Sequence, residues 1–295
     1  SLQSIEEEGF MLLLSVFWEI VKAVILGVVE GVTEWLPISS TGHMILVDEF
    51  LKLEASAEFR DLFLVVVQLG AILSVVVLFW RRIWPFDKRK NTTEVRETLT
   101  LWLKIIVACL PTVVVAVPFE DAIERLFYRN PISSSVTVAA ALIVYGVLFI
   151  VVENLNRGKA PRIGSLSALD YKTALAIGLF QVLAVIPGTS RSGATILGAI
   201  LLGTSRPVAA EFTFLLAIPV MFGASFLKLL KFGLHFTGLE AAVLLTGTAV
   251  AFIVSLLAIR FLMNFVRKHD FKVFGWYRIV LGVVVLLYFL IRYGL

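Results

Sequence analysis

Six stretches of this chain, residues 62–80, 99–117, 136–152, 212–230, 240–260 and 276–292, are apolar runs close to the length of about 20 residues that carries a helix across a bilayer. In lipid every backbone N–H and C=O must be bonded within the protein, and a helix achieves this alone. Hydrophobic residues make up 59% of the chain and mean hydropathy is +0.94, above the roughly 45–50% of soluble domains. The expectation is an all-α integral membrane protein, 1–295 forming a single membrane domain. Charged residues, 16% of the total, cluster between the runs, and a formal net charge of +4 suits basic cytoplasmic loops. With no DNA- or RNA-binding signature, nucleic acid is not an expected partner. Cys109 is the only cysteine, which excludes an internal disulfide and a cysteine metal site. The first residues lack the basic region of a cleavable leader, so none is expected.

Two further apolar regions, roughly 11–52 and 172–203, are broken at their centres. The first break is Glu30-Gly-Val-Thr-Glu34-Trp-Leu-Pro37-Ile-Ser39-Ser40-Thr41-Gly42-His43; the second runs from Gln181 through Pro187-Gly188-Thr189-Ser190-Arg191-Ser192-Gly193-Ala194-Thr195. Both read as helix, proline break, hydroxyl cluster and new helix. Proline ends a helix because it lacks an N–H and crowds the preceding turn, and the hydroxyls are candidate caps for the next one. Each half is expected to be too short to span, so both regions are predicted to be re-entrant helical hairpins.

Loop charge sets the orientation. Segment 81–98 carries Arg81, Arg82, Lys88, Arg89, Lys90 and Arg96 and is predicted to be cytoplasmic. Successive crossings then place 118–135 outside, where Glu120, Asp121 and Glu124 offset Arg125 and Arg129, and return 153–171 and 261–275 to the cytoplasm. On this count 172–203 enters and leaves from the cytoplasm and 11–52 from outside. The chain reads as a hairpin plus three spans, twice, over approximately 11–152 and 172–292. Three crossings invert the second copy, giving six transmembrane helices plus two re-entrant hairpins in an inverted-topology repeat. Ser40 and Ser190, Pro37 and Pro187, and Asp61 and Glu211 are each 150 residues apart.

Arg191 lies between Ser190 and Ser192 in an otherwise apolar region. An arginine at membrane depth costs roughly 2.5–3.5 kcal/mol on insertion scales, so an anionic ligand or a partner carboxylate such as Glu34 is required. The guanidinium fork matches phosphate geometry, and helix starts following Gly188 and Ser192 add N–H groups. Glu30 and Glu34 share one helix face. They either hold Arg191 or bind a divalent cation, Mg²⁺ or Ca²⁺, that bridges them to a phosphate. His43, three residues after Ser40, is placed to move a proton. Ser40 reads either as a nucleophile activated by His43 or as a helix cap with water attacking. Ser39, Thr41, Thr189 and Thr195 read as caps or phosphate donors. Phe79-Trp80 and Trp276-Tyr277 are expected interfacial anchors, and His235 and His269 are expected to be solvated. Asp61 and Glu211 are expected to be structural, pairing with loop cations, and Ser133, Ser134 and Ser135 to open a helix.

GVVEGVTEWLPISSTGH (27–43) and PGTSRSGAT (187–195) closely resemble the two signature regions of the undecaprenyl-diphosphate phosphatase family, the bacitracin-resistance type. The similarity runs over roughly 18–292. The resemblance implies a bacterial inner-membrane enzyme, its site opening to the periplasm, that removes one phosphate from undecaprenyl diphosphate and so recycles the lipid carrier of cell-wall synthesis. It implies that Glu30 and Glu34 serve metal binding or activation, and that Ser40, His43, Ser190, Arg191 and Thr195 match catalytic and phosphate-binding positions.

The expected partners are a polyprenyl diphosphate and membrane lipid, and a homodimer is left open. The rival reading, a flippase or transporter for a polyprenyl phosphate, rests on the inverted repeat and broken helices. A hydroxyl–imidazole pair favours the enzyme, because a carrier has no use for a nucleophile or proton shuttle. A phosphatase for soluble substrates is disfavoured by the lack of an extramembrane domain.

Overall fold

A computed structural model describes residues 2–116, 118–127, 131–233 and 236–293. Arg129 and His235, and the side chains of Glu120, Asp121, Glu124 and Ser133, lie outside the described residues. The chain is all-helical there: α1 Leu2–Thr33, α2 Ser40–Phe50, α3 Ala57–Leu78, α4 Trp80–Ile83, α5 Thr92–Ala116, α6 Glu120–Phe127, α7 Pro131–Leu155, α8 Tyr171–Val182, α9 Arg191–Leu201, α10 Arg206–Phe232, α11 Gly238–Phe265 and α12 Lys272–Tyr293. The only β pairing among these residues is an isolated bridge between Ile163 and Thr204. Hydrogen bonds from Ile163 N to Gly203 O and from Ser205 N to Ile163 O fasten the long loop before α8 to the α9–α10 turn.

Seven helices, α1, α3, α5, α7, α10, α11 and α12, are long and apolar enough to cross a membrane. Six match the six expected runs, with α3 ending at Leu78, two residues before the end of its run. The seventh corrects the sequence reading, which took 11–33 as a limb too short to span. α1 has 32 residues, about 48 Å at 1.5 Å per residue. Glu19 and Lys22 interrupt its apolar pattern, but they neutralise each other at 2.5 Å, and Glu19 also accepts the Glu54 N–H at 3.0 Å. By contrast α2, α8 and α9, of 11, 12 and 11 residues, fall well short of a bilayer core of about 30 Å. Four of the expected spans, in α7, α10, α11 and α12, extend at both ends, while α3 and α5 extend at their starts. α5 starts at Thr92, where Asn91 caps Glu94 N and Glu94 reaches back to Asn91 N, each at 2.9 Å.

α1 lies along α11, α8 along α5, α7 along α12, and α3 along both α10 and α11. In lipid, helices gain little from burying apolar surface, so close backbone approach through small residues carries much of the association. α7 and α12 cross at Gly146 and Gly275, where a Cβ on either residue would stand 2.6 or 2.7 Å from the other's carbonyl oxygen. The largest core cluster includes Trp35, Ala194, Ile196, Phe212 and Phe214. Its position is where α9 and the turn after α1 meet α10. Glu211 of α10 pairs with Arg82 of α4 at 3.0 Å, the loop-cation pairing expected for it.

Candidate active site

The two broken segments meet in the core. α1 ends at Thr33, and residues 34–38 form a turn containing Pro37 before α2 starts at Ser40. α8 passes through a 3₁₀ turn, Leu183–Val185, and a second proline turn before α9 starts at Arg191. The cap residues Ser39 and Ser190 have φ of 76° and 69°, the only positive φ values among described non-glycine residues. Such backbone costs of order 1–3 kcal/mol and persists where the surroundings over-determine it. Each cap hydroxyl accepts a backbone N–H three residues on, from Gly42 at 3.3 Å and Gly193 at 3.2 Å. The conformational equivalent of Ser190 is therefore Ser39, not Ser40. The second turn holds one more residue between proline and cap, and Ser40 corresponds to Arg191.

Arg191 Nη2 donates to Glu34 Oε1 at 3.1 Å, and Nη1 to the Thr213 carbonyl at 3.0 Å. Its guanidinium carbon lies 5.9 Å from the Trp35 ring centre. Trp35 is fully buried and meets Phe214 edge-on at 5.3 Å. The Ser40 hydroxyl donates to the other Glu34 oxygen, Oε2, at 3.0 Å. Glu34 thus joins a cation from one broken segment to a hydroxyl from the other. Glu30, one turn earlier, is buried with Oε1 unpartnered, and Arg191 Nε is likewise buried without a partner. Gln181, the counterpart of Glu30, donates to Thr112 Oγ1 at 3.0 Å.

The remaining predicted phosphate ligands are engaged internally. Ser192 donates to the Glu34 carbonyl at 3.1 Å and contacts the Ser190 hydroxyl at 3.1 Å. Thr195, wholly buried, donates to the Arg191 carbonyl at 2.9 Å and accepts from Thr213 at 2.9 Å. Gly188, at φ 87°, packs so closely on Val138 that a Cβ would lie 2.6 Å from its backbone. The structure therefore brings Glu30, Glu34, Ser40, Ser190, Arg191, Ser192, Thr195 and Gly188 into one centre, with Ser192, Thr195 and Gly188 holding its walls.

Neither ring nitrogen of His43 bonds the Ser40 hydroxyl. Its Nδ1 lies 2.7 Å from the Ser39 carbonyl and its Nε2 lies 2.6 Å from the Tyr277 hydroxyl. A carbonyl only accepts, so Nδ1 carries the hydrogen, and in a neutral ring Nε2 accepts from Tyr277. The two rings stack at 5.6 Å, 8° from parallel. Tyr277 therefore belongs to the site, where the sequence suggested an interfacial anchor; its neighbour Trp276 is exposed, as expected. His269 is exposed and stacks on Phe265 at 4.6 Å.

Sequence reasoning missed Arg278. It is 0% exposed. It donates through Nη1 to the Pro37 carbonyl at 3.2 Å and through Nη2 to the carbonyls of Gly188 and Thr189, each at 2.9 Å. One guanidinium thus ties both proline turns together, and it lies 5.4 Å from the Tyr145 ring centre. Its sequence signal matched that of Arg191, a charged residue in an apolar run, but no hydroxyl cluster surrounds it.

Fold and site define a multi-pass helical membrane protein with a buried, cation-bearing centre built from two broken helices. The chain belongs to the family described as bacitracin resistance protein BacA, which matches residues 23–284. It is 60% identical over 275 residues to a protein named undecaprenyl-diphosphatase from Desulfitobacterium hafniense, covering 93% of this chain and 97% of that one. A protein of the same name from Lachnoclostridium phytofermentans is 60% identical, covering 93% and 98%. Another, from Enterococcus faecalis, is 55% identical over 273 residues, covering 92% and 97%.

Proposed function

We infer that this chain is an undecaprenyl-diphosphatase, a membrane hydrolase that converts the C55 lipid diphosphate to undecaprenyl phosphate and inorganic phosphate. It thereby recycles the carrier lipid of peptidoglycan synthesis and supports bacitracin resistance. The carrying observation is Glu34, whose two oxygens meet Arg191 at 3.1 Å and the Ser40 hydroxyl at 3.0 Å. A hydroxyl held on a carboxylate is ready to lose its proton, and a guanidinium beside it is suited to a phosphate oxygen.

In this reading the lipid tail stays in the bilayer, and the terminal phosphate lies against Arg191, Ser190 and the first N–H groups of α9. Ser40 Oγ attacks the terminal phosphorus while its proton passes to Glu34. The bond to the bridging oxygen breaks, and undecaprenyl phosphate leaves. Water then attacks the phosphoserine, releasing inorganic phosphate and returning the proton to Ser40. The alternative, direct attack by water, leaves no phosphoserine. His43 and Tyr277 handle protons at the far edge. Trapping with ³²P-labelled substrate separates the routes: label covalently held by wild type and absent from Ser40→Ala supports serine attack.

Glu30 and Glu34 fit a divalent cation, Mg²⁺ or Ca²⁺. Glu30 presents a buried, unpartnered oxygen, and Glu34 retains free lone pairs, although no cluster of three metal-binding side chains occurs among the described residues. Such a cation, completed by water and substrate oxygens, would offset phosphate charge at the carboxylates. Chelation should abolish phosphate release, and Mg²⁺ or Ca²⁺ should restore it.

In this reading the site lies in the bacterial inner membrane and opens to the periplasm. α2 with the end of α1, and α8 with α9, act as re-entrant hairpins of an inverted repeat. The exchange of partners supports this: α1 packs on α11 of the second half as α8 packs on α5 of the first. The same symmetry suits a polyprenyl-phosphate carrier, for which the Ser40–Glu34 contact has no use. A carrier would move lipid between leaflets without releasing phosphate.

A further inference from the structure

We propose a second phosphate-binding site in the basic bowl between α4, the start of α5 and the loop before α8. This open cavity of about 470 Å³ is lined by Arg81, Arg82, Arg89, Lys90, Arg96 and Lys104. Three carboxylates also line it, Asp87, Glu94 and Glu97, fewer than the cations, and Glu97 acts on Lys104 only through space, without an ion pair among the described residues. Asp87 approaches only Arg89, at 3.8 Å. Glu94 accepts the Asn91 N–H at the start of α5. Arg82 is engaged outside the bowl by Glu211. Arg81 and Arg96 make no ion pair among the described residues.

The floor is the second observation. Lys104 is 6% exposed, and its ammonium reaches only the carbonyls of Ser167 at 3.2 Å and Leu166 at 3.5 Å. Asp170 and Glu97 act on this ammonium only through space, so part of its desolvation cost is left, which an anion in the bowl would offset. Hydroxyls of Ser165, Ser167 and Thr93 line the same cavity and supply further donors. Arginine forks around an ammonium suit a phosphate dianion better than a monovalent anion. The exposed, stacked Trp80 and Trp84, 4.9 Å apart, stand on α4 and directly after it. Such rings sit at headgroup level, so the phosphate can come from a lipid headgroup or from free phosphate.

Calorimetric titration with inorganic phosphate, using purified Arg191→Ala protein, reads this bowl apart from the proposed active site. Nanodiscs with and without phosphatidic acid, analysed for lipid retained per chain, form the second arm. Phosphate or phosphatidate should bind with one equivalent per chain. Arg81→Gln/Arg96→Gln, two exposed positions that leave the core intact, should weaken binding about tenfold or more, about 1.4 kcal/mol; Lys104→Gln should do the same and Lys104→Arg should not. Phosphate binding alone identifies a free anion as ligand, and phosphatidate retention a headgroup. Absence of both from Arg191→Ala protein, or affinity unchanged by Arg81→Gln/Arg96→Gln, would overturn the proposal.

Discussion

At the scale of single residues the centre is held by two arginines with different tasks. Arg191 bonds the Glu34 carboxylate, and in the proposed mechanism it also meets the substrate phosphate. Arg191→Lys, which keeps a cation beside Glu34 but loses the guanidinium fork, should lower phosphate release by about 10²–10³, the usual cost of losing one donor aimed at developing charge, with little change in thermal stability. Arg278 hydrogen-bonds only to backbone, joining Pro37 to Gly188 and Thr189. Arg278→Met should therefore cost at least about 3 kcal/mol, since three buried carbonyl contacts lose their donor. A thermal melt in detergent, read beside activity, separates the two. Arg191 was legible in the sequence because hydroxyls flank it, and its depth demanded a partner. Arg278 was not, because its ligands are main-chain carbonyls, which leave no side-chain pattern. The Ser40–His43 pair suggested by spacing failed for a related reason. The imidazole bends back to the Ser39 carbonyl and across to Tyr277, a residue 234 positions away that no local spacing reveals.

At the scale of elements, strained caps and glycine crossings place the site. Ser39→Gly should be tolerated, because glycine accepts positive φ and only the cap bond to Gly42 is lost. Ser39→Val should cost about 1–3 kcal/mol more, from strain at φ 76°. Comparing their melting temperatures tests whether the turn is as rigid as its bonding implies. Gly146→Val should separate α7 from α12 and destabilise the fold by about 1–3 kcal/mol. Because Tyr277 and Arg278 ride on α12, activity should fall with it. Six of the seven long helices were legible as apolar runs. The seventh, α1, was obscured by the polar break that begins at Glu30, which made 11–33 read as one limb of a hairpin instead of the end of a 32-residue helix. Helix ends were the least legible, as polar first turns such as Thr92–Thr98 belong to α5 while reading as loop.

At the scale of the whole molecule, the reciprocal packing of α1 on α11 and α8 on α5 is what an inverted repeat would produce. The proposed topology has 153–171 in the cytoplasm and 231–239 outside. In a Cys109→Ser background, a membrane-impermeant thiol reagent applied to intact cells should label Thr237→Cys and spare Ser165→Cys. Labelling in the opposite sense would reverse the orientation, and equal labelling of both would remove the topology altogether.

The meeting of both broken segments at one substrate phosphate is tested most directly by a double-mutant cycle on undecaprenyl diphosphate hydrolysis. Arg191→Ala, Glu34→Gln and the double variant would be compared by phosphate release from purified protein. If both residues serve one phosphate through their 3.1 Å contact, each single change lowers kcat/KM by about 10² or more, and the double is hardly worse than the poorer single. Losses that multiply, or undiminished rates in either single variant, would contradict a shared centre.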